Sequence, residues 1–213
     1  MKSIVIIDYG VGNLKSLKRA FEEVGVAPVI SDDPTVLANA DALVLPGVGS
    51  FGAGMHGLTT RGLVDVVRAF GASGKPVLGI CLGAQLLFSE GRELGIFPGL
   101  GLISGQVVAF PLLENSEKVP HMGWNMVSKP TGVSWSDTVL EGLEPGVYAY
   151  FVHSYIMQPT EEKNVLATTT YGGYTFPAVV RFGNMYGAQF HPEKSATDGL
   201  AIIKNFSTLV SKF

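Results

Sequence analysis

The sequence predicts an α/β protein that has a mainly parallel central sheet with flanking helices and an antiparallel extension. Two observations carry this prediction. The first half alternates short apolar runs with amphipathic segments, an order that is typical of parallel sheets with right-handed crossovers. The second half consists of strand-like runs separated by Gly, Pro and Asn turns. Since neither a repeat nor a linker-like tract interrupts the 213 residues, positions 1–213 are predicted to form a single domain.

In the first half, continuous runs of apolar and β-branched residues predict strands that are buried on both faces. These runs are residues 4–7, 29–30, 42–45 and 77–80. Apolar residues recur at helical spacing through residues 14–24, which predicts an amphipathic helix that Gly25 can terminate. The further helices are predicted at residues 34–39, 63–70 and 82–88.

In the second half, turn residues delimit each predicted strand. The strand-like runs are residues 106–110, 124–127, 147–152, 164–170, 178–182 and 185–189. Gly183 and Asn184 lie between the last two runs and indicate a hairpin. The amphipathic pattern of residues 199–210 predicts a final helix.

Composition and charge argue against several classes of protein. Hydrophobic residues make up 46% of the chain and the formal net charge is −3, so there is no basic excess to meet the phosphates of a nucleic acid. The apolar run at residues 4–7 is too short for the core of a signal peptide, and no run of roughly 18 apolar residues predicts a membrane span. A cytoplasmic location is therefore expected. The single cysteine excludes an intrachain disulfide and a cysteine-based zinc cluster.

The one cysteine lies in the most informative segment, Gly79-Ile80-Cys81-Leu82-Gly83. A nucleophile flanked in this way by glycines, between a strand and a helix, is typical of a strained elbow that exposes the nucleophile at the edge of the sheet. The amino terminus of the following helix can lower the pKa of a thiol and offer an N–H to an oxyanion. The alternative is a buried cysteine in an ordinary strand-to-helix turn.

A base and its orienting group are available near the end of the chain. His191 follows a predicted strand, and Glu193 stands two residues on, with Pro192 between them. A thiolate nucleophile needs an imidazole to exchange protons with, and the imidazole needs an acceptor to fix its tautomer. Taken alone, the tripeptide is typical of a surface loop, whereas the elbow favours a catalytic pair.

The other histidines have plainer interpretations. His153 follows an apolar run and is interpreted as a hydrogen-bonded structural residue. His121 lines an interface or caps a turn, and His56 falls in a Gly-rich loop without an evident role.

Neither a metal nor a cofactor is predicted. Gly10 and Gly12 precede a predicted helix, but Lys15 occupies the position of the third glycine of a dinucleotide-binding fingerprint. Asp8 and Asp41 flank strands without metal-ligand companions at a suitable spacing.

Three segments together resemble the class I (triad) glutamine amidotransferases. They are the elbow, the segment Gln-Phe-His-Pro-Glu at 189–193 and the loop Pro-Gly-Val-Gly at 46–49, which occur in that family's order and span the chain. Segments 9–13, 119–125 and 150–155 are similar to those of the amidotransferase subunits of imidazole glycerol phosphate synthases, which act in histidine biosynthesis.

The resemblance implies a catalytic mechanism. Cys81 would attack the side-chain amide of glutamine, His191 would activate Cys81 and protonate the leaving ammonia, and Glu193 would orient His191. Backbone N–H groups at Val48 and Leu82 would form the oxyanion hole.

The resemblance also implies a glutamine pocket and a partner. The implied glutamine-binding residues are Gly49, Gln85, Glu93, Ser154 and Tyr155. The ammonia would pass to a (β/α)8-barrel cyclase subunit, in a heterodimer that makes imidazole glycerol phosphate and aminoimidazole carboxamide ribotide.

Candidate residues for the partner interface are Asn13, Met122, Trp124 and Tyr150. For Trp124 and Tyr150, the alternative is an ordinary core or rim aromatic. Two other functions remain open at this level: supply of ammonia for the amidination of a surface sugar, and stand-alone hydrolysis of γ-glutamyl amides.

Overall fold

The computed structural model describes residues 2–114 and 117–213, and a mainly parallel sheet forms its centre. The parallel strands lie in the spatial order β2 (Val29–Ser31), β1 (Ile4–Ile7), β3 (Ala42–Leu45), β4 (Val77–Ile80) and β13 (Met185–Ala188). The antiparallel strands β12 (Tyr174–Phe182) and β11 (Val165–Tyr171) extend the sheet beyond β13. The predicted fold class and the hairpin at Gly183 are confirmed.

Helices cover both faces of this sheet, because alternate residues of its buried strands point to opposite sides. Ile4 and Ile6 pack into one core with helices α1 (Leu14–Glu23) and α6 (Ala196–Ser211). Val5 and Ile7 pack into the other core. The helices of that second core are α2 (Pro34–Ala38), α3 (Phe51–Thr60), α4 (Val64–Ala72) and α5 (Leu82–Leu86).

The remaining strands form two smaller sheets beside the central one. One sheet has the spatial order β10 (Tyr155–Pro159), β7 (Ile103–Ala109), β5 (Phe88–Gly91) and β6 (Phe97–Pro98). The other is a two-stranded antiparallel ribbon of β8 (His121–Val127) and β9 (Val147–His153). One side of this ribbon packs on the core, through Val127, Ala149 and Phe151.

The structure differs from the sequence prediction at several places. Strands β5, β6 and β10 are absent from that prediction, and two helices differ from it. The helix predicted at residues 82–88 ends at Leu86, and Phe88 begins β5. The predicted Gly-rich loop around His56 is helix α3, which Ser50 caps by accepting a hydrogen bond from the Ala53 N–H. Gly54 and Gly57 allow this helix to lie close to Leu86 and to the Tyr9 carbonyl.

Among the residues that the structure describes, no helix combines the length and the apolar character needed to cross a bilayer. The carboxyl ends of β1, β3, β4 and β13 meet at one edge of the central sheet, where open α/β folds bind their ligands.

Candidate active site

Cys81 lies at the carboxyl end of β4, directly before α5, in a conformation that few residues adopt. Its backbone angles are φ 53° and ψ −112°, outside the regions that suit a residue with a side chain. The neighbouring glycines are required by close packing. A Cβ atom on Gly79 would lie 2.7 Å from Ala84 Cα, and one on Gly83 would collide with the Leu45 carbonyl oxygen. The elbow predicted from the sequence is therefore present.

The Cys81 thiol is buried but accessible from one cavity. Sγ lies 3.7 Å from the Val152 carbonyl oxygen and 4.0 Å from Nε2 of the buried Gln189. The backbone N–H of Gln85 bonds to the Cys81 carbonyl, so Gln85 lies one helical turn beyond the thiol, as its spacing predicts.

His191 and Glu193 form a buried hydrogen-bonded pair. His191 Nδ1 donates to Glu193 Oε1 at 2.8 Å, and the two side chains are only 3% and 5% exposed. A short 3-10 turn over Pro192–Lys194 brings the carboxylate back to the ring. Ser195 Oγ donates to the His191 carbonyl at 2.7 Å and accepts from the Tyr150 N–H at 3.0 Å, which ties this turn to strand β9.

The second ring nitrogen of His191, Nε2, is left free by the bond to Glu193, and the Cys81 side chain is near enough to affect this ring. Nε2 is buried and completes no hydrogen bond with any described residue. Burial lowers the pKa of His191, but the Cys81 side chain and then Glu193 outweigh burial and raise that pKa to about 9. Since Nδ1 is committed to Glu193, Nε2 is the atom that can exchange a proton with Cys81.

The raised pKa of His191 predicts how the glutamine turnover implied by the resemblance would depend on pH. Below about pH 9 the ring is an imidazolium that can protonate a leaving group, and above that pH it is neutral. We expect kcat/KM for glutamine to fall as the pH rises through about 9, because this ratio reports the pKa values of the free enzyme. Glu193→Gln removes a charge that raises this pKa, so the fall should begin at lower pH in that variant. Identical profiles for the two proteins would contradict the interpretation.

The Pro46–Gly49 segment follows β3 and lies against the start of α5. Gly47 leaves no room for a side chain, because a Cβ atom there would meet the Tyr9 hydroxyl and Leu82. The fully buried Tyr9 hydroxyl donates to the Pro46 carbonyl. Burial and then the charge of a Cys81 thiolate raise the pKa of Tyr9, so the phenol stays protonated and remains a donor. Sequence reasoning did not assign Tyr9 this position beside the predicted oxyanion hole.

Removing the Tyr9 hydroxyl is expected to loosen this segment. Tyr9→Phe leaves the Pro46 carbonyl without its donor, which should lower the free energy of unfolding by about 1–3 kcal/mol and kcat by about 3- to 10-fold. Tyr186→Phe alters another buried tyrosine outside the cavity and serves as the control. Urea unfolding and steady-state glutaminase assays measure both effects. Equal kcat values for the two variants would show that Tyr9 does not support the oxyanion segment.

One cavity of about 360 Å³ brings the predicted site residues together. Cys81 and His191 line it, and so do the predicted oxyanion-hole residues Val48 and Leu82. The predicted glutamine-binding residues that line this cavity are Gly49, Gln85, Glu93, Ser154 and Tyr155. The volume lies in the range of small-molecule pockets. The binding and oxyanion roles of these residues stay predictions.

Two of these polar residues are held by further hydrogen bonds. Gln85 Nε2 donates to the Tyr155 carbonyl and to Gln189 Oε1, at 3.1 Å each. Glu93 Oε2 accepts from the Phe51 N–H at 2.6 Å, at the beginning of α3. The side chains that would contact a ligand are therefore fixed before it binds.

A larger cleft of about 620 Å³ lies between β7, β10 and β12. Its charged lining residues include Glu90 and Glu162, but its described lining contains neither cysteine nor histidine. The smaller cavity, which is lined by a cysteine and a histidine, is the stronger candidate for an active site.

The predicted interface residues divide between two places. Met122, Trp124 and Tyr150 lie on the solvent face of the β8–β9 ribbon, whereas Asn13 caps α1 by accepting from the Ser16 N–H at 3.3 Å. Met126 and Tyr148, which the sequence analysis did not include, lie on the same ribbon face. We call these ribbon residues the outer face; they are Met122, Trp124, Met126, Tyr148 and Tyr150.

The outer face is apolar and exposed, and it reaches the rim of the cavity. Trp124 is 53% and Met122 is 63% exposed. Met122 pairs directly with Val152, whose carbonyl contacts Cys81 and which lines the cavity. A contiguous exposed apolar surface of this kind is typical of a protein–protein interface.

The other histidines occupy different environments. His56 lies on α3, away from the lining of the cavity. His121 and His153 pair across the buried side of the ribbon, with Nδ1 of His121 3.0 Å from Nε2 of His153. His153 also lines the cavity, so it belongs to the candidate site as well as to the hydrogen-bonded core that the sequence analysis expected.

Comparison with known proteins agrees with this fold. The family model described as "Glutamine amidotransferase class-I" matches residues 5–209. The chain therefore belongs to the class I glutamine amidotransferases.

Among its relatives, the chain is similar to two proteins named imidazole glycerol phosphate synthase subunit HisH. Identity is 49% to the protein of Syntrophotalea carbinolica, with 97% of this chain and 100% of that one covered. Identity is 46% to HisH 1 of Legionella pneumophila strain Lens, with 97% and 99% covered. A solved glutamine amidotransferase shares the fold, with a TM-score of 0.74, 22% identity and coverage of 97% of this chain and 98% of that one.

Proposed function

We propose that the chain hydrolyses L-glutamine to glutamate and ammonia and supplies the ammonia to a cyclase partner in histidine biosynthesis, in the cytoplasm. The observation that carries the proposal is the strained Cys81 elbow facing a buried His191–Glu193 pair in one small cavity. Near full-length similarity to HisH subunits supports the choice of pathway.

The reaction proceeds in two steps at Cys81. The proton of the Cys81 thiol resides on His191 Nε2, and the thiolate attacks the side-chain carbonyl carbon of glutamine. The N–H groups of Val48 and Leu82 stabilise the oxyanion, and the C–N bond then breaks as His191 returns the proton to the leaving ammonia. Water, activated by the neutral His191, hydrolyses the γ-glutamyl thioester to glutamate and frees Cys81.

The polar lining selects a free amino acid. The Glu93 carboxylate can pair with the ammonium group of glutamine, because only one of its oxygens is occupied by the Phe51 N–H. Gln85 commits its two amide hydrogens to Tyr155 and Gln189, so its side-chain oxygen is the atom that can accept from the substrate.

The partner is a (β/α)8-barrel cyclase subunit that covers the outer face of the ribbon. Burial of Trp124 and Met122 removes apolar surface from water, which favours association. The same docking closes the rim of the cavity near Val152, so ammonia passes to the cyclase without entering bulk solvent. The cyclase reaction yields imidazole glycerol phosphate and aminoimidazole carboxamide ribotide.

The proposal is tested by measuring glutaminase activity with and without the barrel subunit from the same host. We expect weak turnover of glutamine by the isolated chain and a strong rise when the barrel subunit and its nucleotide ligand are added. Strong turnover that the partner does not change would favour a stand-alone γ-glutamyl hydrolase. If a cyclase-like barrel that acts in sugar amidination activates the chain, and the barrel subunit of histidine biosynthesis does not, the result would favour a surface sugar as the ammonia acceptor.

A pair of surface variants locates the interface. Trp124→Ser should weaken binding of the barrel subunit at least about 10-fold, because aromatic residues at the centre of an interface carry much of its affinity. Phe182→Ser changes an aromatic residue of similar exposure, 48%, on the β12–β13 hairpin and is the matched control. Isothermal titration measures both affinities, and equal affinities would remove the outer face from the interface.

A further inference from the structure

Two buried histidines outside the His191–Glu193 pair form a cross-strand pair beside the cavity. His121 and His153 are directly opposite each other in the β8–β9 ribbon, and both rings are almost fully buried. The His121 ring stacks on Tyr171 and Phe151, with centroid distances of 4.1 and 4.9 Å. Phe110 and Phe176 pack on His153, each at 5.2 Å. These aromatic contacts fix both ring planes.

Both rings are neutral at physiological pH. Burial lowers the pKa of His121 to about 4. Burial lowers the pKa of His153 to about 3, although the Tyr155 carbonyl opposes this shift. A neutral imidazole carries one proton on one of its two nitrogens, so each ring has a definite tautomer.

The hydrogen bonds of Asn125 determine the tautomer of His121. Asn125 Oδ1 accepts from the Met126 N–H at 2.8 Å, and Nδ2 donates to the Thr170 carbonyl at 2.9 Å, which fixes the orientation of the amide. The second Nδ2 hydrogen is directed to His121 Nε2 at 3.2 Å. His121 Nε2 must therefore hold a lone pair, and the proton of this ring is on Nδ1.

The tautomer of His121 in turn fixes that of His153. His121 Nδ1–H donates to His153 Nε2, so the proton of His153 is also on Nδ1. The bond on the far side of the ring favours the same tautomer, because His153 Nδ1 lies 2.9 Å from the Tyr155 carbonyl oxygen, which can only accept. The bond from Asn125 to His121 and the bond from His153 to Tyr155 are therefore consistent with a single donor-to-acceptor direction through the whole series.

This series of hydrogen bonds, from Asn125 through the two histidines, ends in the proposed glutamine pocket. The Tyr155 carbonyl accepts from His153 and also from Gln85 Nε2, and Gln85 donates its other hydrogen to Gln189. Tyr155 and Gln85 line the cavity with Cys81. Among the described residues, the side chains of His191 and Glu193 make no hydrogen bond to Asn125, His121, His153 or Gln85.

We propose that His121 and His153 are positioning residues for glutamine. The proton on Nδ1 of His121 holds His153 in one tautomer, and His153 in that tautomer donates to the Tyr155 carbonyl. The Tyr155 carbonyl in turn holds the side chain of Gln85. The inference rests on the proposed glutaminase function. It assigns the two histidines to substrate binding and not to proton transfer at Cys81.

The tautomers are measured directly on the full chain, without reference to activity. The protein has four histidines, so a long-range ¹H–¹⁵N spectrum of ¹⁵N-labelled imidazoles is simple to assign. At pH 7 we expect both His121 and His153 to carry the proton on Nδ1. An Nε2 proton on either ring overturns the proposal, and this result is independent of whether glutamine is the substrate.

A matched pair of variants tests the consequence for binding. In His121→Asn, the amide takes the position of Nδ1 and can still donate to His153. In His121→Gln, the amide takes the position of Nε2, and His153 loses its donor. In complex with the barrel subunit, we expect His121→Gln to raise KM for glutamine about 5- to 10-fold with kcat within about twofold, and His121→Asn to change KM by less than about twofold.

Alkylation of Cys81 by iodoacetamide separates this role from a general structural one. The reagent enters through the same cavity but needs none of the proposed contacts to glutamine, so its rate should be the same in the two variants and in the wild type. In His121→Gln alone, no donor faces Nε2 of His153, and we expect this ring to change tautomer. Equal KM values for the two variants, or a loss confined to kcat, would overturn the proposal. Unfolding midpoints of the two variants identify any loss that comes from stability alone.

Discussion

Replacing Cys81 with alanine is expected to abolish glutamine-dependent synthesis by the complex and to leave synthesis from added ammonia intact. The sulfur atom is the proposed nucleophile, and no other cysteine exists in the chain. Loss of such a nucleophile commonly costs at least about 10⁴-fold in turnover. The alanine keeps the Cβ atom, so the unusual backbone of the elbow is the same in both proteins. Parallel assays with glutamine and with an ammonium salt give the two rates.

The ammonia-dependent rate is the internal control of this experiment. It requires a folded chain docked on the cyclase but not the thiol, so it should remain within about twofold of wild type, as expected of a change that removes only chemistry. Loss of both rates would contradict the proposed division of labour between the subunits. Glutamine turnover that survives without Cys81 would remove this residue from the mechanism.

Replacing His191 with alanine is expected to cost nearly as much as replacing Cys81, whereas Glu193→Ala should cost less. His191 Nε2 both takes the thiol proton and gives it to ammonia, so its loss stops each half of the reaction. Glu193 acts through the 2.8 Å bond to Nδ1 and only orients the ring. In a related type of triad, loss of the orienting residue costs roughly 50-fold less than loss of the base.

Steady-state kcat values for glutamate release measure this order of effects. Glu193→Gln retains a side-chain oxygen that can accept from Nδ1, so it should be more active than Glu193→Ala. Iodoacetamide should alkylate Cys81 more slowly in His191→Ala near neutral pH, because the imidazolium that stabilises a thiolate is gone. A Glu193→Ala variant as inactive as His191→Ala would mean that the carboxylate does more than orient the ring.

Much of the fold could be predicted because its central strands are encoded locally. Each parallel strand is a continuous apolar run, since both of its faces are covered by helices. Helix α3 could not be predicted in the same way. Its glycines lower helix propensity, and they are required only because Leu86 and the Tyr9 carbonyl lie so close, which depends on tertiary packing.

The site shows the same division between local and distant information. The elbow and the His191–Glu193 pair are short segments, so their geometry follows from neighbouring residues. The bond from Tyr9 to the Pro46 carbonyl and the pairing of His121 with His153 join segments that are distant in the chain. The alternating exposure of the ribbon could have identified Met126 and Tyr148, because they share the spacing of Trp124 and Tyr150.

The β8–β9 ribbon constrains how this chain can vary in length. One face carries the exposed aromatic residues, and the opposite face carries the histidine pair, because side chains alternate along each strand. Inserting or deleting a single residue between Tyr150 and His153 would move one side of β9 to the opposite face, turning either Tyr148 and Tyr150 towards the core or His153 towards solvent. Single substitutions in the ribbon are therefore expected to be milder than any change of strand length. Natural variation in length should be confined to the connection at residues 128–146.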